Sequence, residues 1–159
     1  MQRIDVTVAA VIERDERFLL VEERAGGQLV LNQPAGHVEP GESLIDAVVR
    51  EAFEETGFDF MPREVVGIYL WHSEEADTSF LRTVFCGSAR PPASTPTLDE
   101  GIVAVHWLKR GQLLLRSGDL RSPLVLRCID DYLAGVRYPL DCLTHLPPTR
   151  IPRIHSASG

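Results

Sequence analysis

Residues 36–58 read GHVEPGESLIDAVVREAFEETGF and hold six acids (Glu39, Glu42, Asp46, Glu51, Glu54, Glu55) against one base, Arg50. This one segment carries −5 of the formal net charge of −7 on a chain of 159 residues. The spacing predicts a helix over 43–56, with Gly57 as a left-handed stop. At about 100° per residue, with Leu44 as zero, Ala47, Val48 and Ala52 form an apolar stripe that must face inward. On the same wheel Glu51 falls near −20°, Glu55 near +20° and Glu54 near −80°. Asp46 falls near −160° and points away, as a surface acid should. A charge run usually marks a solvated face, but that reading does not set two carboxylates on the buried line.

Carboxylates crowded along an inward line repel one another and lose hydration, so they must be protonated or neutralised by cations. Ligands that are all oxygen suit hard divalent ions, Mg²⁺ first, with Mn²⁺ as a substitute. Arg50, four residues before Glu54, is placed to pair with Glu54 or to reach Glu42.

The segment resembles the Nudix box: Gly, five residues, Glu, seven residues, then Arg-Glu-apolar-x-Glu-Glu-x-Gly-apolar. Here those positions are Gly36, Glu42, Arg50, Glu51, Ala52, Glu54, Glu55, Gly57 and Phe58, with no departure. A chance match somewhere in the chain is on the order of 10⁻⁶ or rarer. The resemblance implies an α/β fold, an α/β/α sandwich with a mixed β-sheet and the box as loop–helix–loop. It implies a hydrolase of phosphoanhydride bonds in which Glu51, Glu54 and Glu55 hold the metal, joined by a main-chain carbonyl of Ala35 or Gly36. Arg50 and Glu42 would orient those carboxylates. Glu51 is the first choice for activating the attacking water. Glu100, in a loop seven residues before Trp107, is the candidate from outside the box.

Further stretches, among them VTVAAVIERDERFLLVEE, LNQPAGHVEPGESL, FLRTVF and RYPL, resemble the NudJ-type Nudix phosphatases of bacteria. That subgroup implies phosphate release from nucleoside tri- and diphosphates, or from a pyrimidine pyrophosphate that is a thiamine precursor. The alternatives are a pyrophosphatase of sugar nucleotides or other nucleoside diphosphate derivatives, and a Nudix-fold nucleotide-sensing module without turnover. Trp71 or Tyr69 is placed to stack a heterocycle. Arg82 is placed to reach a phosphate, and His37 to contact the substrate.

Strands are expected over 6–12 and 17–22, joined across 13–16, and over 29–31, 65–71, 80–85 and 102–107. A loop rich in proline spans 90–99. A second helix is expected with Ser122 as N-cap, Pro123 at its first position and Gly135 beyond its end. Its apolar residues Leu124, Val125, Cys128, Ile129, Tyr132 and Leu133 follow helical spacing. One domain over 1–145 is expected, followed by a Pro/Ser-containing tail, 146–159, that should not fold independently.

With 44% hydrophobic and 25% charged residues, the chain is neither disordered nor collagen-like. Its acidity argues against nucleic-acid and membrane partners but does not rule out a phosphate-bearing substrate, and the resemblance implies a small phosphorylated one. Three scattered cysteines, Cys86, Cys128 and Cys142, and the lack of a leader or spanning pattern predict a soluble cytoplasmic protein. A monomer and a homodimer both remain open.

Overall fold

A computed structural model describes residues 3–150. Along the chain run β1 (Arg3–Arg14), β2 (Arg17–Ala25), β3 (Gln28–Asn32), β4 (Ala35–His37) and α1 (Leu44–Thr56). They are followed by β5 (Asp59–Ser73), β6 (Thr78–Arg90), β7 (Ile102–Leu108), α2 (Arg110–Leu115), α3 (Leu124–Leu133) and β8 (Tyr138–Pro139).

Five successive apolar residues of β1, 8–12, are all buried, which requires cover on both faces of the sheet. That cover exists. Val8, Ala10 and Ile12 pack with Ala47, Val48 and Ala52 of α1, while Ala9 and Val11 pack with Val125, Cys128 and Ile129 of α3. β1 runs parallel to β6 and antiparallel to β4, and β5 and β8 continue the sheet beyond β6. The hairpin from β1 leads into an antiparallel group in which β2 pairs with β3 and β7. The result is a mixed sheet between helices, the α/β/α sandwich.

Side chains alternate across the sheet, so Thr7, Arg82 and Tyr69, which are register neighbours, lie on the α3 side. Trp71 and its neighbour Phe80 form the next row on that side.

The expected strands lie within β1, β2, β3, β5, β6 and β7 and are longer than periodicity indicates. The hairpin turn is narrower than 13–16: only Asp15 and Glu16 leave the strands, at φ 51° and 60°. Those left-handed values match the right-handed twist of a two-residue hairpin. On α1, Ser43 Oγ accepts from the Asp46 amide at 3.0 Å, and Gly57 closes the helix at φ 75°. α3 begins one residue later than expected, yet the capping chemistry is the expected one. Ser122 Oγ accepts from the Leu124 amide at 3.2 Å, and Gly135 takes φ 82°.

β4, α2 and β8 carry no periodic signal, and the pattern does not predict them. β4 forms because the exposed edge of β1 takes three residues on (Thr7 opposite His37, Val8 opposite Gly36). Most of the tail 146–159 lies outside the described residues. Among the described residues, no helix is long and apolar enough to cross a membrane.

Ile129 is fully buried where α3 meets the sheet. Replacing it with alanine should cost about 2–5 kcal/mol in urea unfolding. A loss below 1 kcal/mol would show that α3 is not a fixed layer.

Candidate active site

Arg50 organises the acids of α1. Its Nε donates to Glu42 Oε1 at 2.7 Å and its Nη2 to Glu42 Oε2 at 2.9 Å. Its Nη1 donates to Glu51 Oε1 at 2.8 Å and to Glu54 Oε2 at 3.1 Å. Nη2 also donates to the His37 carbonyl at 3.0 Å, tying α1 to β4. Both pairings open to Arg50 in the sequence are therefore made at once. The guanidinium beside Glu42 holds that carboxyl below the usual carboxylate range.

Carboxylate oxygens of Glu51, Glu54 and Asp99 lie within 4.8 Å of one another. Glu51 is 9% exposed, and burial first, then Glu54 and Asp99, push its pKa up against the pull of Arg50. Three carboxylates this close offer an all-oxygen donor set that fits a hard divalent cation. Gly36 makes room for it. A Cβ at Gly36 would stand 2.1 Å from Glu51 Cδ, so only glycine lets this carboxylate lie against β4.

The loop acid at the cluster is Asp99; its neighbour Glu100 is exposed and stands outside the group. The Asp99 amide donates to the Glu54 carbonyl at 2.9 Å, so the backbone decides which of the two acids turns toward α1. Glu55 also lies outside the three-acid group. It is 5% exposed, and its Oε1 accepts from the Ala35 amide at 3.3 Å. Its Oε2 is buried without a partner among the described residues, and burial, then Glu23 and Glu51, push its pKa up to about 9.

Of the substrate candidates, Trp71 lines a cavity of about 780 Å³, with Leu120, Arg121, Ser122 and Leu126 on the side of α3. Its ring stacks on Phe80 at 5.7 Å and 21°. Tyr69 has a structural tie: its hydroxyl donates to Asp131 Oδ2 at 2.7 Å. His37 Nε2 lies 2.9 Å from Asp5 Oδ2. Arg82 is 7% exposed, and its Nε and Nη1 have no partner among the described residues. A buried guanidinium without an acceptor is costly unless something supplies one.

Sequence reading missed the polar residues near Arg82. Arg121 Nη1 and Asn32 Nδ2 donate to Glu23 Oε1 at 2.9 and 3.5 Å. Glu23 acts electrostatically on both Arg82 and Glu55. These segments share no motif; β2, β3 and β6 supply Glu23, Asn32 and Arg82, and the Arg121 amide bonds the Leu31 carbonyl at 2.8 Å.

The profile of the NUDIX domain matches residues 1–127, and the chain belongs to the Nudix family of hydrolases, which act on pyrophosphate bonds. It is 38% identical over 138 residues to phosphatase NudJ of Escherichia coli strain K12, across 87% of this chain and 89% of that protein. The solved structure of a NUDIX hydrolase from Nitrosomonas europaea is 47% identical with a TM-score of 0.88, covering 91% of this chain and 98% of that one. The MutT protein of Methanosarcina mazei Go1 shares the fold at 22% identity and a TM-score of 0.66, covering 84% of this chain and 96% of that one.

Native Glu55 holds its proton to about pH 9, whereas the unfolded chain releases it near 4.5. The native state thus binds the extra proton between those values, and this group removes stability as pH rises through them. In EDTA, Glu55→Gln should melt above the parent protein at pH 8, and the gap should close toward pH 4. A difference that does not change with pH would exclude this cause.

Proposed function

We propose that this chain is a Mg²⁺-dependent phosphohydrolase of nucleoside tri- and diphosphates or of a pyrimidine pyrophosphate, working in the cytoplasm. The observation that carries the reading is the convergence of Glu51, Glu54 and Asp99 beside an intact box. The likeness to a curated phosphatase over most of both chains supports phosphate release in particular. Mn²⁺ is the expected substitute ion.

Glu51, Glu54 and Asp99 would hold the cation, and Glu55 or a carbonyl of Ala35 or Gly36 would complete the set, since Gly36 lies against Glu51 and the Ala35 amide bonds Glu55. When bound, a divalent cation neutralises non-bridging phosphate oxygens and lowers the pKa of a bound water. The protein's own groups do the rest. Arg50 fixes the Glu51 carboxylate by a 2.8 Å hydrogen bond, leaving its other oxygen to take the proton of an attacking water. Burial makes Glu51 a better proton acceptor than a solvated glutamate. Water attacks phosphorus, the bridging P–O bond breaks, and the leaving phosphate departs with the bridging oxygen.

Arg82 would donate from Nε and Nη1 to the oxygens of the substrate anion. Trp71 would stack the heterocycle in the 780 Å³ cavity. Tyr69, already bonded to Asp131, would support Trp71 from the same strand rather than stack.

Glu54→Gln should lower turnover by at least about 10²-fold with the circular dichroism spectrum unchanged. Arg82→Gln should raise KM by about 10-fold or more, the worth of a charged hydrogen bond. A substrate screen with Mg²⁺ or EDTA, measuring phosphate separately from pyrophosphate, tests the reading as a whole. Phosphate from tri-, di- or pyrimidine diphosphates supports it. Dominant cleavage of ADP-ribose, or no release from any compound, overturns it.

A further inference from the structure

Gly57 ends α1 in the left-handed region at φ 75°, and that conformation alone accounts for glycine there. A second constraint acts at the same atom. A Cβ on Gly57 would stand 2.5 Å from Pro96 Cβ, 2.7 Å from Pro96 Cγ and 3.5 Å from Pro92 Cβ. Gly135 closes α3 at φ 82° with nothing within 4 Å of its Cβ position. The two glycines share a backbone conformation and differ in what lies above them.

What lies above Gly57 is the loop that carries Asp99. Three contacts hold that loop. Pro92 and Pro96 rest on Gly57, the Asp99 amide bonds the Glu54 carbonyl, and the Gly101 carbonyl accepts from the Arg24 amide at 3.0 Å. The Glu54 carbonyl is one of the four that a helix leaves unpaired at its C-terminus, so the loop docks on a group that needs a donor. The ring of each proline narrows the conformations open to the segment.

We infer that Gly57 and Pro96 are positioning residues, a glycine–proline seat that sets the height of the 91–101 loop and brings the Asp99 carboxylate to Glu51 and Glu54. The inference rests on those three acids holding the cation. A side chain at Gly57 lifts the loop and pulls Asp99 from the group while leaving Glu51 and Glu54 on α1. The shortfall is then one ligand, as in Asp99→Asn.

The test is Mn²⁺ binding to metal-free protein, read by electron paramagnetic resonance of the free ion, together with thermal melting. Gly57→Ala and Asp99→Asn should each weaken Mn²⁺ binding by about tenfold, the scale on which residues supporting a metal site act. Gly135→Ala should lose thermal stability through the same left-handed strain and bind Mn²⁺ like the parent. Pro96→Gly removes both atoms that meet the new methyl group. It should therefore return part of the lost affinity when added to Gly57→Ala, although it weakens binding slightly in the parent background.

Parent-like binding by Gly57→Ala overturns the inference, as does an equal loss in Gly135→Ala or a Pro96→Gly effect of the same size in both backgrounds. No Mn²⁺ binding by the parent, or full binding by Asp99→Asn, overturns the metal assignment itself. If Gly57→Ala does not fold, a Pro92→Gly/Pro96→Gly variant decides. Weakened Mn²⁺ binding supports the seat, and unchanged binding overturns it.

Discussion

One guanidinium facing three carboxylates is the interaction on which the site depends. Arg50 reaches Glu42, Glu51 and Glu54 at once and so holds together groups that would otherwise repel one another. It also leaves them undercharged on the positive side. Burial pushes the carboxyls of Glu51 and Glu55 up, a cost that a divalent cation at the site would offset. The same arginine donates to the His37 carbonyl, so the charge balance of α1 also fixes the edge strand beside it.

Close approach of backbone to side chain is the second constraint. β4 crosses Glu51 at Gly36, and the proline-rich loop sits on α1 at Gly57. In both places a methyl group would occupy space already filled by an acid or by a ring. The acids therefore converge from one helix and one distant loop because two glycines let neighbouring elements come close. Behind them, the sheet covered on both faces keeps α1 and α3 at fixed distances from β1.

Much of this arrangement is legible in the residues themselves. The inward line of Glu51 and Glu55 follows from helical geometry, and both prove to be buried. Ser43 and Gly57 mark the ends of α1, because capping is local chemistry. β4 is not legible, since three residues with no periodicity become a strand only when a partner edge exists. The choice between Asp99 and Glu100 is not legible either. Adjacent acids look alike until one amide finds the Glu54 carbonyl. Arg82 and Trp71 read as an arginine and an aromatic on strands. That the one has two nitrogens without a partner among the described residues and the other lines a cavity depends on how α3 closes over the sheet.

The sequence by itself determined the helix, its caps, the acids on its inner line and the family they mark, because periodicity and capping act within a few residues. Only the tertiary structure decided that Asp99 joins Glu51 and Glu54, that Glu55 turns to Ala35 and that Nε and Nη1 of Arg82 find no partner among the described residues. These depend on contacts between segments tens of residues apart. Such contacts arise from packing and from the need to pair buried backbone groups, which no local pattern encodes.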